Sequence, residues 1–294
     1  MSSTVNQNPD VDLDGLMARE WLAANGTGGY ASSTACGLNT RRYHGLLVAA
    51  MTPPARRMVL LSRVEETLRC GGREYHLACN EYPGAIWPNG HELLRAFSTE
   101  PHPRWAYQGD GWTLQKELRL LRGRNTVLLS YTLLGAGCGV ELDVRPLLAL
   151  RGIHEMSYQW NGRLEARPRG VSHWHVPATR RTPEVFFAHD GLFDRRAHWY
   201  LNQIYRRESE YGYPGLEDLW SPGSATAQLA PGQTVHFACS SDPFDLSDVV
   251  ARAERQLRVP DEAAARDRIA VGGFAFAASP AAEPDAAFDA LVAA

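Results

Sequence analysis

The chain has 294 residues and a formal net charge of −3, and 44% of its residues are hydrophobic. That is enough apolar surface for one large domain, and too little positive charge for a protein selected to neutralise nucleic-acid phosphates. No apolar run is long enough to span a bilayer, and the opening MSSTVNQNPDVDLDG lacks the basic and apolar segments of a signal peptide, so a cytoplasmic protein is expected.

Residues 1–17 are polar and acidic without periodicity and are expected to be disordered. From 18 to 243, short apolar runs alternate with turn signals. Glu20–Leu47 opens on an apolar anchor, Trp21-Leu22, and a turn cluster, Asn25–Gly29. Small residues follow from Ala31 to Gly37, then the dense polar run Asn39–His44, then the apolar Leu46–Ala50. Arg57–Leu61, Val64–Arg69 and Glu74–Ala78 are strand candidates, and Cys70–Arg73 reads as a hairpin turn between the last two. In Trp112–Leu120, Trp112, Leu114, Leu118 and Leu120 alternate onto one face, and Lys116 interrupts it. Gly123–Asn125 turns into Thr126–Leu134, rich in residues that suit a sheet, and Gly135–Gly139 turns into Val140–Val144. Ser157–Trp160, Arg163–Ala166, Val171–His175, Glu184–Ala188 and Thr234–Ser240 complete the strand candidates, with Asn161-Gly162 a hairpin signal.

This pattern predicts an all-β chain, a large antiparallel β-sandwich of supersandwich size, with a short helical tail. Helical periodicity starts only after residue 243. Asp245 is placed to cap a helix through Val249, Val250, Ala253 and Leu257 that stops before Pro260. Phe288, Leu291 and Val292 begin a second amphipathic pattern that ends uncapped at Ala294. Residues 244–294 are therefore expected to be a helix, a linker and the start of a further helical domain, cut at that point.

The segments NGTGGY and NTRRYHG carry a specific resemblance. With PPARRMVLLSRVEETL, YPGAIWPNG, KELRLLRGRNTVLLSYTLL and RPLLALRGIH, the chain resembles the N-terminal domain of bacterial and archaeal glycogen debranching enzymes, the amylo-α-1,6-glucosidase family. The likeness fades from Glu155 to His198 and returns in WYLNQIYRRESEYGYPGLEDLWSPG. In that family the domain precedes a helical barrel that carries the hydrolytic carboxylates, and the whole enzyme hydrolyses α-1,6-glucosidic branches. The resemblance implies two partners, a C-terminal helical-barrel catalytic domain and an α-glucan such as glycogen or a malto-oligosaccharide. It implies no cofactor or metal, and the charge and the apolar runs read above give no expectation of a nucleic-acid or membrane partner.

Two constellations are candidate sites. The first is Asn25, Gly28, Gly29, Tyr30, Asn39, Arg41, Arg42, Tyr43 and His44. As a sugar site, Asn39, the arginines and His44 bond hydroxyls while Tyr30 or Tyr43 packs on a ring. Alternatively one arginine pairs with a carboxylate as an internal brace. The second is Trp199, Tyr200, Tyr205, Glu208, Tyr211, Tyr213, Glu217, Asp218 and Trp220. Aromatics mixed with carboxylates suit a sugar surface or a face that docks another domain. No catalytic pair is assigned. Glycoside hydrolysis needs two acids flanking one bond, whereas Glu65-Glu66 and Glu217-Asp218 are adjacent and point to opposite faces of a strand. His173 and His175 share a strand face without a third ligand. The five cysteines are odd in number and lack a CxxC, so all are expected to be free thiols, with Cys36 a small packing residue. The expected role is a non-catalytic domain that positions glucan and supports the barrel. The alternatives are an autonomous 4-α-glucanotransferase domain and a structural collar that never touches sugar.

Overall fold

The computed structural model describes residues 12–137, 139–160, 164–257, 270–271 and 274–275. Two large antiparallel sheets, ten- and eight-stranded among these residues, pack around one main core. The first sheet runs in the order Glu20–Ala24, Tyr30–Thr34, Gly45–Thr52, Ala55–Cys70, Val140–Gly152, Leu216–Ser221, His198–Ile204. The second runs Arg167–Pro168, His173–Val176, Val185–His189, Thr234–Ser240, Thr126–Ala136, Trp112–Leu120, Arg104–Gly109, Leu94–Ser98. The predicted antiparallel sandwich is what forms.

Local chemistry accounts for much of it. Gly71 and Gly72 both take positive φ, 58° and 77°, as a two-residue hairpin turn requires. Cys70 then pairs with Arg73 and the next strand folds back. In Trp112–Leu120 the side chains of Trp112, Leu114 and Leu118 are buried as the alternation predicts. Lys116 points the same way. Its ammonium lies 2.5 Å from Glu66 Oε1 on the first sheet and 5.2 Å from the Trp105 ring centroid. Tyr131 of the second sheet donates its hydroxyl to the same carboxylate at 2.9 Å. The apparent interruption is thus an ion pair that crosses the core.

Helix is scarce. Helix α1 (Leu13–Ala18) begins at Asp12, whose carboxylate accepts the Asp14 N–H, and it buries Leu16 and Met17. The disorder expected through residue 17 is therefore corrected over α1, and residues 1–11 lie outside the described residues. Helix α2 (Arg206–Glu210) follows the His198–Ile204 strand. Helix α3 (Leu246–Leu257) matches its prediction, and Asp245 caps it by accepting the Ser247 N–H at 2.8 Å. It lays Leu246, Val249 and Ala253 on Leu121 and on Leu128, Ala188 and Ala238 of the second sheet, so sandwich packing continues past residue 243. The pattern at Phe288, Leu291 and Val292 lies outside the described residues.

Three further expectations change. Ser157–Trp160 is not a strand. Its backbone donors are taken by side-chain carboxylates, Ser157 N–H by Glu217 and Gln159 N–H by Asp218, both at 2.8 Å, so no ladder forms. Residues 164–166 are likewise outside any strand, while Asn161, Gly162 and Arg163 fall outside the described residues. Among the cysteines, Cys36, Cys79 and Cys239 are free and buried, but Cys70 is disulfide-bonded, which corrects the expectation of five free thiols. Cysteine spacing along the chain gives no sign of this bond. Cys138 lies outside the described residues. No helix among the described residues is long and apolar enough to cross a membrane.

Candidate functional site

The polar residues of the first constellation point mostly inward. Asn25 is buried; its Oδ1 accepts the N–H groups of Thr27 and Gly29 at 2.9 Å, and its Nδ2 donates to Arg124 O at 2.9 Å. Gly28 has φ +96°, and a Cβ there would lie 2.7 Å from Pro54 Cα and O, so only glycine fits. A Cβ on Gly29 would meet the Asn25 and Asn125 side chains at 2.6 and 2.7 Å. Tyr30 is buried and donates its hydroxyl to Tyr43 O at 2.8 Å. Asn39 is buried between Ser33 and Ser62, accepting from the first at 2.7 Å and donating to the backbone carbonyl of the second at 3.1 Å. Arg41 pairs with Glu20 at 2.7 Å. The internal-brace alternative therefore describes Asn25, Asn39 and Arg41.

His44 belongs to this brace. Burial, then the charges of Arg41 and Arg63, push its pKa down to about 3. Its Nδ1 accepts the Thr40 N–H at 3.2 Å. Nε2 is 3.6 Å from Glu20, but that carboxylate is already committed to Arg41, so the ring is neutral. Between about pH 6.5 and about pH 3 the unfolded chain binds a proton that folded His44 refuses. Stability from this group is thus full above that window and falls as pH falls through it, by about 1.4 kcal/mol per pH unit. A His44→Asn variant, compared with the parent by urea denaturation at pH 7 and pH 4.5, should show a shallower acid loss. Equal slopes would mean that His44 titrates normally in the fold.

Arg42 and Tyr43 reach the other constellation. The Arg42 Nε donates to Glu208 Oε2 at 2.6 Å and its backbone N–H to Oε1 at 3.2 Å. Its guanidinium lies 5.1 Å from the centroid of the exposed Tyr213 ring. The Tyr43 hydroxyl meets His154 Nδ1 at 3.3 Å. Below them lies a buried knot that sequence reading missed in part. Arg151 forks onto Glu217 through Nε and Nη2, the second bond at 3.0 Å, and Nη2 also donates to the Arg42 carbonyl oxygen at 2.9 Å. Tyr205 donates its hydroxyl to the same carboxylate. Arg151 itself gave no sequence signal, because its partner is distant in the chain.

The knot holds a loop and the loop walls a groove. Glu217 and Asp218 pin Ser157 and Gln159 as described, and Asp218 also accepts the N–H of Asn202, which sits at φ +60°. Trp199 and Trp220 are cross-strand partners, and Trp220 pairs in turn with Leu148. These three residues are among those lining a groove of about 530 Å³, together with residues 155–160, Arg181 and Thr182. Trp199 and Trp220 of the second constellation lie here together. Tyr200 and Glu208 do not line it, Tyr205 is buried, and Tyr211 is exposed near α2. Sequence reading missed Tyr158, Gln159, Trp160 and Arg181. The signal available was a Tyr-Gln-Trp run in the stretch where the family likeness fades.

Several of the acids are engaged within the fold. Glu217, Asp218 and Glu208 each hold the internal partners given above, and Glu65 faces away from Glu66, accepting from Asn80 at 2.7 Å. Burial raises the pKa of Glu65, opposed by its hydrogen bond from Tyr200. His175 contacts Glu184 at 2.7 Å and His173 accepts the Leu246 N–H at 3.3 Å. No group of three or more His, Cys, Asp and Glu among the described residues could hold a metal ion.

Fold and site together define a two-sheet antiparallel sandwich with a mixed aromatic and polar groove at its Trp199–Trp220 row. A family model described as glycogen debranching enzyme N terminal matches residues 19–236, and the chain belongs to that family. No curated protein matches it. Among solved structures, a bacterial glucoamylase complexed with acarbose is similar at 9% identity and TM-score 0.35, over 83% of this chain and 33% of that one. A candidate aldose 1-epimerase from Escherichia coli K12 is similar at 12% identity and TM-score 0.38, over 75% of this chain and 98% of that one. A polysaccharide lyase is similar at 13% identity and TM-score 0.31, over 76% of this chain and 32% of that one. The chain spans about a third of the length of the glucoamylase.

Proposed function

We propose that the chain is the non-catalytic part of a glycogen debranching enzyme, which positions glucan and supports a helical-barrel catalytic domain. The observation that supports this reading best is how its carboxylates are used. Glycoside chemistry asks for two acids facing each other across a bond, one of them held protonated. Here Glu20, Glu208, Glu217 and Asp218 are each engaged with an arginine or with backbone N–H groups of the fold. Tyr213, exposed beside Arg42, and the exposed Tyr211 and Leu216 close by in sequence are of the composition that suits docking of another domain. A cytoplasmic location is part of the proposal, and the Cys70 disulfide weighs against it. Incubated with a branched dextrin, the purified chain should release no glucose and redistribute no chain lengths above a buffer blank. Turnover abolished by changing one of its own carboxylates would overturn the reading.

A further inference from the structure

We propose that Cys36 and Cys79 are a reactive thiol pair, which hydrogen peroxide closes into a disulfide. The proposal starts from their juxtaposition. Both are free and buried, and their thiols hydrogen-bond each other. Cys36 follows the strand Tyr30–Thr34, in a turn where the Gly37 N–H donates to Thr34 O at 2.9 Å. Cys79 opens the hairpin strand Cys79–Tyr82, which pairs with Ala85–Asn89. A bond between the two sulfurs ties that turn to the hairpin.

The surroundings give the two thiols different roles. Hydrogen bonds from Cys79 and from the Thr34 hydroxyl, 3.4 Å away, hold the Cys36 pKa down to about 7 although burial opposes them. A thiolate is therefore available at Cys36 near neutral pH, and the thiolate is the nucleophile. Its hydrogen bond to Cys36, together with burial, raises Cys79. Cys79 remains a thiol, and its sulfur lies 3.7 Å from His91 Nδ1.

Both cysteines line a cavity of about 20 Å³, room for one water-sized molecule. Lys116 and Glu66 line it as well and neutralise each other. Arg63 is the further cation in the lining. It donates from Nη1 to Asn80 at 2.5 Å, while its Nε and Nη2 have no partner among the described residues. A neighbouring cation with unused donors favours the thiolate and the hydroxide that leaves it. The size of the cavity selects the oxidant. Hydrogen peroxide is small enough to reach the sulfurs, and a bulky disulfide such as glutathione disulfide is not.

In the first step the Cys36 thiolate attacks one peroxide oxygen. The S–O bond forms, the O–O bond breaks, and the departing hydroxide takes up the proton that Cys36 released, leaving as water. Cys36 is then a sulfenic acid. In the second step the Cys79 sulfur attacks the Cys36 sulfur and gives its proton to the departing oxygen. The S–S bond forms, the S–O bond breaks, and a second water leaves. Two thiols lose two electrons in all, and one peroxide is reduced to two waters.

The test is peptide mapping by mass spectrometry. The reduced chain, freed of reductant, is treated with hydrogen peroxide while folded, then unfolded, alkylated and digested. A peptide linked through Cys36 and Cys79 should accumulate as both thiols are lost to alkylation, and dithiothreitol should abolish it. Cys239, buried without a thiol partner, should stay alkylated. Glutathione disulfide should form the link far more slowly. In Cys79→Ser, which removes the second step, dimedone should capture a sulfenic acid at Cys36, and in Cys36→Ser it should capture none at Cys79. The parent chain alone decides the main point, whether or not either variant folds. Peroxide that leaves Cys36 and Cys79 alkylated, or links either of them to another cysteine instead, would overturn the proposal. So would a link made as fast by glutathione disulfide, and capture at Cys79 rather than Cys36 would overturn the roles assigned to the two.

Discussion

Replacing Arg151 with Met should cost about 3–5 kcal/mol, the usual penalty for breaking one side of a buried ion pair. Arg151 is 4% exposed and Glu217 0%, so water cannot screen what is left. Without the guanidinium, the Glu217 carboxylate keeps only Tyr205 and the Ser157 N–H as partners. Burial alone would lower the Arg151 pKa, but the charge of Glu217 outweighs it and raises the value. Glu217→Gln should therefore be comparably costly, because it strands a cation that does not give up its proton. Removing both charges together, as Arg151→Met with Glu217→Gln, should cost less than the sum of the single changes. The effect should reach the groove, since Glu217 holds Ser157. Urea denaturation of the three variants checks the cycle. A loss below about 1 kcal/mol for the single changes would place the pair in the range of exposed ion pairs and would contradict its burial.

The Glu66–Lys116 pair should behave differently when both partners go. Glu66→Leu alone leaves an ammonium in the core beside Trp105 and removes the acceptor of the Tyr131 hydroxyl. A loss of about 3 kcal/mol is expected, the usual cost of breaking one side of a buried ion pair. The double change Glu66→Leu with Lys116→Met restores an apolar face at the position where the alternation asks for one. With Tyr131→Phe added, no polar group of the trio is stranded. The triple variant should be as stable as the parent or more so. Melting curves would decide it, and a triple variant as unstable as Glu66→Leu would mean that the core needs the ion pair for its packing.

Lys116 also shows what was legible in the sequence. Period-two alternation set the strand and its buried face, and a single charge that broke the period marked a place where the core between the sheets is polar. Turn chemistry was equally readable, because paired glycines at 71 and 72 admit few alternatives. What was not readable has a common cause. Asn39, Arg41, Arg42 and His44 carry the same donors whether they hold sugar hydroxyls or brace a fold. Only their distant partners decide, and Glu208 reaches Arg42 from far along the chain. Ser157–Trp160 was misread for the same reason. Its composition suits a strand, but the carboxylates of Glu217 and Asp218 arrive from another strand and satisfy its backbone first.

Presenting glucan without cutting it is the central claim, and one proton NMR time course on the chain mixed with a branched dextrin tests both halves of it. The indole N–H signals of the chain's tryptophans report contact with glucan. The anomeric protons of α-1,6 and α-1,4 linkages report chemistry. The indole signals should shift on mixing while both anomeric intensities stay constant through the incubation. A fall in the α-1,6 signal, or an exchange of α-1,4 linkages between chains that stops when one carboxylate of this chain is substituted, would contradict the account and make the domain an enzyme in its own right.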